Sequence, residues 1–403
     1  MESISPSSDY YLLMHLTIVS PFPPSITGIG QYGYHVTRAL ANSGVFTRIT
    51  VLAGSQVNGQ HPNHLGLTEV EYCWGPGSLK ARADILSRVK LLNPDLVWFN
   101  LGASIFGRSP LSNLSGLLTP MFASRIVPTV VTLHELVELA DLRALNAPGG
   151  PFALWGARLL TEAATQADMV CLTMRQYANW LTERGVNCTH IPIGAYHEPE
   201  LLDENESQEL LFFTTLAPYK GLELLIEAFD VLRAEYPQLK LTVAGATHTR
   251  FPNYARELKM RCDGTDGIQW LGEVPEDDVK DLFRGAQIVV LPYMASTGSS
   301  SVLYQAATWG RAIVASDLSE IQTMANENNL QVEFFKNGNI ASLIRSIRCL
   351  LDSHTKRREQ SQHNFNAMQR IRPEETCRHY LEAFNRALEK RRSTKHIQTA
   401  EPA

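Results

Sequence analysis

The run Ile288-Val289-Val290-Leu291-Pro292-Tyr293-Met294-Ala295-Ser296-Thr297-Gly298-Ser299-Ser300-Ser301, continuing through Gly310 to Arg311-Ala312-Ile313-Val314-Ala315-Ser316, decides how this chain folds. It reads as a buried apolar strand, a small-residue loop, a short helix closed by glycine, and a second apolar strand. Neither strand alternates polar with apolar residues, as expected of a parallel sheet covered by helices on both faces. The hydroxyl-rich loop lies where a helix opens. Backbone N–H groups are free there and the helix dipole favours an anion, so Gly298, Ser299, Ser300 and Ser301 suit a phosphate. The same residues suit plain N-capping by Ser299 or Ser300, and the loop alone does not separate the two readings.

Outward from this stretch the strand–helix alternation repeats along the chain. In the first half, strands are expected at 16–20, 48–53, 96–100, 129–133, 169–172 and 190–193, with helices at 32–42, 83–92, 152–166 and 175–184. In the second half, strands are expected at 211–214, 239–244 and 268–271, with helices at 221–236, 251–262, 276–285, 340–352 and 374–391. An acidic stretch at 198–209 reads as the linker between the halves. The fold class is therefore α/β, with two doubly wound Rossmann-like domains facing across a cleft at the carboxyl ends of both sheets, where such folds bind ligands.

Bulk properties narrow the function. The chain has 403 residues, formal net charge −5 and a pI near 6.2, so no basic footprint for nucleic acid is present. None of the six cysteines forms a Cys-x-x-Cys pair or has zinc-like spacing, which suits free thiols in a reducing, cytoplasmic setting. Residues 1–11 lack a signal-peptide pattern, and no apolar run reaches about 18 residues. No cluster of carboxylates and histidines has metal spacing, and no Gly-x-Ser-x-Gly elbow occurs; a metal cofactor and a hydrolase of that type are not expected. Asp141, Asp168 and Asp317 read as structural.

Gly28-Ile29-Gly30-Gln31-Tyr32-Gly33 has dinucleotide-binding spacing. However, Pro21–Thr27 separates it from the preceding strand, and Ala53-Gly54-Ser55 offers no acid for a ribose. The glycines read instead as a flexible loop that lets backbone approach a ligand.

Four segments together resemble the retaining GT-B glycosyltransferases of family 4: Ser20-Pro21-Phe22-Pro23-Pro24 with Thr27-Gly28-Ile29-Gly30; Thr132-Leu133-His134-Glu135; Leu216-Ala217-Pro218-Tyr219-Lys220-Gly221; and the opening stretch through Asp317. The resemblance implies a 14–197 acceptor domain, a 198–210 linker, a 211–373 nucleotide-sugar donor domain, and a 374–391 helix returning to the first domain. Residues 1–13 and 392–403 are expected to be mobile ends.

The resemblance also implies site roles. Lys220 would be the cation at the departing diphosphate, and His134 would contact the donor sugar or its reacting centre; these are the catalytic pair. Glu135 would be an acceptor-side acid or simply a helix-start carboxylate. Gly28 and Gly30 would approach the diphosphate or the acceptor, Gly272-Glu273-Val274 would border the base, and Gly298 to Ser301 would hold phosphate oxygens. Three positions depart from the family pattern: Thr215 replaces an Arg, and Thr297 and Gln305 replace two Glu. All three count among the donor-binding positions, and Gln305 can still bond a hydroxyl pair without charge. The implied partners are a nucleotide sugar and a glycan, lipid-linked or small-molecule acceptor, with peripheral association at the inner membrane surface left open. No cofactor beyond the nucleotide-sugar co-substrate is implied. The expected activity is hexosyl transfer with retention; the rivals are a nucleotide-sugar epimerase of the same fold and a catalytically impaired binding protein. In 102–125, residues Ile105, Phe106, Leu117, Leu118, Met121 and Phe122 read as core before they read as a lipid-facing surface, and Lys80, Arg82, Arg88 and Lys90 as a solvated face or an anionic-lipid patch.

Overall fold

In the computed structural model of the protein, the described residues are 14–23, 27–55, 64–65, 68–107, 109–139, 143, 145, 151–204, 207–262, 264–296 and 298–400. Thr297, Asp141 and the N-terminal arm therefore lie outside them. The chain divides into two compact units: Met1–Leu139 with Gly149–Pro192 and Pro373–Ala403, and Ala140–Pro148 with Ile193–Arg372.

The first unit is built on an eight-stranded sheet. Its strands are β1 (Met14–Val19), β2 (Phe46–Gly54), β3 (His64–Leu65), β4 (Thr68–Trp74), β5 (Leu96–Leu101), β6 (Thr129–Leu133), β7 (Met169–Leu172) and β8 (Cys188–His190). They lie in the order β3-β4-β2-β1-β5-β6-β7-β8, parallel throughout except for β3 against β4. The second unit is an all-parallel six-stranded sheet of β9 (Glu209–Phe213), β10 (Lys240–Ala244), β11 (Ile268–Gly272), β12 (Ile288–Leu291), β13 (Ala312–Ser316) and β14 (Glu333–Phe335), ordered β11-β10-β9-β12-β13-β14. In each sheet the chain starts near the middle, winds outward to one side, then returns to wind toward the other. The switch falls between β1 and β5 in the first unit and between β9 and β12 in the second. Loops leaving the carboxyl ends of those strand pairs diverge and leave a crevice.

The apolar runs take the buried positions that two-sided coverage demands. Every residue of β5, β12 and β13 is buried. The helix Leu222–Glu235 turns Leu222, Leu225, Ile226, Phe229 and Leu232 to the second sheet at helical spacing, and Leu343, Ile347 and Leu350 of the helix Ile340–Leu351 join the same core. In the 102–125 stretch Phe106 and Leu117 are core, as expected, whereas the guanidinium groups of Arg82 and Arg125 lie 4.9 and 5.4 Å from the centre of the Phe122 ring. Arg88 is engaged by the Glu71 carboxylate. All six cysteines are free thiols.

Three expectations need correction. First, the glycine loop is a helix start: Gly28–Asn42 is one helix, and extended Thr27 caps it by accepting from the Gly30 amide at 3.0 Å. Gly28 and Gly30 thus sit in its first turn. Second, the final helix runs Pro373–Ala400, so residues 392–400 continue it where a mobile tail was expected. Third, the 198–204 stretch has no regular structure, but it is no free spacer. The Glu200 amide donates to the Thr308 carbonyl at 2.9 Å and Leu202 is buried. Arg311, only 2% exposed, donates to the Asp203 and Ala286 carbonyls at 3.2 and 3.1 Å and to the Leu202 carbonyl. Burial pulls this guanidinium down to about 10, while the nearby charges of Glu204 and Asp203 act to raise it.

Arg311→Met removes the donors and leaves buried carbonyls unpaired. The expected cost is about 3 kcal/mol in denaturant unfolding, with faster proteolytic cutting between residues 198 and 204. An unfolding midpoint and cutting rate equal to the parent protein would show that the segment is held by other contacts.

Candidate active site

The first unit gathers its polar groups at the carboxyl ends of β1, β5 and β6. The β5–β6 register pairs Asn100 with Thr132, and His134 follows directly on the end of β6. The Asn100 side chain is fully buried and makes three bonds. Its Nδ2 donates to Ser20 Oγ and to the Ile29 carbonyl, each at 2.9 Å, and its Oδ1 lies 2.6 Å from His134 Nε2. Ser20 Oγ–H donates in turn to the Pro21 carbonyl at 2.7 Å. The Tyr32 and His134 rings meet edge to face, centroids 4.8 Å apart at 84°. Tyr32, Tyr380 and Thr132 form a buried hydroxyl chain with spacings of 2.7 and 2.8 Å, into which Trp98 Nε1 donates at 2.9 Å.

This packing explains Gly33. A Cβ there would stand 2.3 Å from Ser20 Oγ and 2.8 Å from Asn100 Nδ2. The third glycine of the motif therefore serves contact between helix and strand end. Burial strips water from the His134 imidazole and pushes its pKa down to about 3, so the ring is neutral near pH 7. Glu135 turns its carboxylate to the Ala103 amide, with Oε1 accepting at 2.7 Å. Asp168 accepts from the Thr129 amide at 2.8 Å and lies 3.5 Å from Arg391 Nε, a structural tie within the first unit.

In the second unit Lys220 ends the 3₁₀ turn Pro218–Lys220 that follows β9. Its ammonium lies 3.8 Å over the Tyr293 ring, at the end of β12. The two loops are locked together: the Tyr219 carbonyl accepts from the Met294 and Ala295 amides at 2.9 and 3.3 Å. Gly221, at φ 71°, presses so closely on Pro292 that a Cβ would lie 1.9 Å from its carbonyl oxygen. The loop then passes Gly298, whose carbonyl accepts from Ser296 Oγ at 2.9 Å, and enters the helix Ser301–Thr308. Ser300 is its N-cap residue by position and extended backbone, yet its hydroxyl caps nothing. That Oγ is buried and has no hydrogen-bond partner among the described residues, while the Ser300 amide points to Met324 Sδ at 3.3 Å. Gln305 is buried inside the same helix.

Thr215 is half-buried beside the bridge between Leu216 and Thr247, just after β9; Gly272 ends the edge strand β11, and Glu273 and Val274 follow it. They stand two strands away from β9, so the sheet order does not bring them to Lys220 as it brings the Tyr293–Ser301 loop. Between them lies His248, which sequence reasoning missed. Its ring packs on Tyr219 and Phe251 at 6.1 and 5.7 Å, and burial, then Arg250 and Lys220, lowers its pKa to about 4. Asn100 was missed too, although an Asn inside the apolar run Leu96-Val97-Trp98-Phe99-Asn100-Leu101 was a visible signal.

Comparison with known proteins agrees with this architecture. Residues 27–194 match the family described as glycosyl transferase 4-like domain, and residues 197–367 match glycosyl transferases group 1. A phosphatidyl-myo-inositol mannosyltransferase of Propionibacterium freudenreichii subsp. shermanii is 25% identical over 131 residues, 32% of this chain and 31% of that protein. A lipopolysaccharide 1,2-N-acetylglucosaminetransferase of Salmonella typhimurium is 31% identical over 113 residues, covering 27% of this chain and 29% of that one. The chain thus spans about a third of the length of these curated relatives. Among solved structures, sucrose-phosphate synthase from Thermosynechococcus elongatus superposes with a TM-score of 0.69 at 14% identity, covering 96% of this chain and 100% of that one. Anabaena HepE, solved in complex with UDP-glucose, gives 0.68 at 16% identity, covering 92% and 99%. With both family matches in chain order and this fold in common, the chain belongs to the GT-B glycosyltransferases of the family 4 type.

Proposed function

We propose that this glycosyltransferase moves a hexose from a nucleoside diphosphate sugar to the hydroxyl of a glycan, lipid-linked or small-molecule acceptor, with retention at the anomeric carbon. The bond between the anomeric carbon and the diphosphate oxygen breaks, and a bond to the acceptor oxygen forms on the same face. The acceptor proton passes to the departing phosphate oxygen, and the nucleoside diphosphate leaves. Such a reaction needs no protein nucleophile. The chain's contribution is to position the donor and to stabilise the negative charge that grows on the leaving group.

The observation that carries this reading is the buried Ser300 hydroxyl, without a hydrogen-bond partner among the described residues, at the start of the helix Ser301–Thr308, reached by a loop bonded to the one that carries Lys220. An orphaned buried hydroxyl has a cost that a bound phosphate oxygen would relieve, and the helix N-terminus and the ammonium both favour an anion. Gly298 to Ser301 hold phosphate oxygens in this reading, with Gln305 beneath them. Gly272 to Val274 border the base, Gly28 and Gly30 approach the diphosphate, and Glu135 serves the acceptor side. UDP-glucose is the first donor to try, because HepE, of like fold, was solved with it.

Two variants test the reading. Lys220→Ala is expected to lower kcat on the order of 10²- to 10³-fold with an unchanged melting temperature. Ser300→Ala removes no hydrogen bond to any described residue of the free protein, so its stability should stay within about 0.5 kcal/mol. Its affinity for UDP by calorimetry should nonetheless fall about tenfold or more. Normal turnover by Lys220→Ala would remove the cation from the mechanism. UDP binding without turnover of any nucleotide sugar, with cell lipid or glycan extract supplied, would favour the impaired binding protein; an altered sugar released without acceptor would favour the epimerase.

A further inference from the structure

The hydrogen-bond chain behind His134 has only one consistent assignment of protons. Ser20 Oγ–H is committed to the Pro21 carbonyl, so the oxygen faces Asn100 as an acceptor. The Ile29 carbonyl, which cannot donate, takes the second contact of the same Asn100 atom. That atom must therefore be the amide nitrogen; a flipped amide would set its oxygen against the Ile29 carbonyl oxygen. The other end of the amide, 2.6 Å from His134 Nε2, is then oxygen and can only accept. Nε2 must carry the proton. In a neutral imidazole the remaining nitrogen, Nδ1, is left as a bare lone pair. Nδ1 has no hydrogen-bond partner among the described residues.

We infer that Asn100 is a positioning residue that locks His134 as its Nε2–H tautomer, so that Nδ1 meets the bound substrate purely as an acceptor for a hydroxyl proton. Resting on the transferase reading above, this adds a selection rule. A sugar hydroxyl that donates is welcomed at this point. A fluorine or an ether oxygen there would face the Nδ1 lone pair with one of its own. The groups around the ring keep it neutral. Tyr32 meets it in a T-shaped ring pair, Tyr380 is held protonated by burial, and the Glu135 carboxylate is turned to the Ala103 amide. Desolvation alone shifts the ring.

The first test needs no substrate. Imidazole ¹⁵N NMR on the full chain, with His134 assigned by loss of its signal in His134→Gln, reads the tautomer directly. A single Nε2–H form from pH 5.5 to 8 is expected; an Nδ1–H form or a rapidly exchanging mixture overturns the inference. The second test uses Asn100→Asp, which sets a carboxylate against Nε2–H and favours the charged ring. As pH falls the variant's ring gains a proton at Nδ1 and loses its acceptor, so kcat/KM with UDP-glucose should drop at least tenfold between pH 7.5 and 5.5. The parent should stay flat over that range. Parallel profiles would overturn the positioning role. If Asn100→Asp does not fold, the NMR result stands by itself. A locked Nε2–H ring in a chain that turns over no nucleotide sugar would sink the transferase reading and leave the tautomer intact; turnover with an Nδ1–H ring would do the opposite.

Discussion

Both sheets obey one constraint: a parallel strand can be joined to its neighbour only by a crossover that returns over one face, with right-handed sense. A chain that begins in the middle of a sheet must therefore reverse its winding once. In the first unit the reversal lies between β1 and β5, and in the second between β9 and β12. Two short loops at each reversal diverge, and the polar side chains that have no place in the apolar strands collect there. Ser20, Asn100 and His134 come from the first reversal and the strand next to it; Lys220, Tyr293 and Ser300 come from the second. The location of the candidate site in this chain follows from connectivity before any individual residue is considered.

Much of this was legible because strands buried on both faces announce themselves as apolar runs. Ile288–Leu291 and Ala312–Ser316 were readable for that reason, and the strand–helix alternation repeated along the chain implied the rest. Elements held by other forces were not. The helix His354–Met368 has no apolar stripe, and it is anchored through polar side chains: Gln360 Oε1 accepts from the Ile313 amide at 2.7 Å and Asn364 Oδ1 from the Gln331 amide at 2.7 Å. Periodicity of hydrophobic residues carries no information about such an attachment. Likewise β4 and β14 lie toward the sheet edges, where burial is partial and the apolar signal fades.

The candidate site was legible by type and not by partner. Lys220, His134 and the serine loop stand out as chemistry-bearing residues at strand ends. The side chains that give them their state do not, because Asn100 and Tyr293 are distant in sequence and ordinary in composition. The glycine motif shows the same gap. Its spacing suggested mobility, whereas Gly33 is demanded by a crowded contact between helix and strand end. A residue type reports what backbone geometry it permits, and only the fold decides whether the freedom is used for motion or for proximity.

The stacking of the Lys220 ammonium on the Tyr293 ring has a consequence for how an anion would be captured. A lysine in water samples many rotamers, and immobilising it costs up to roughly 2 kcal/mol of conformational entropy. Here the aromatic face already restrains the side chain in the free protein. Much of that ordering is therefore complete when the chain folds, and a ligand that engages the charge would recover more of the interaction as affinity.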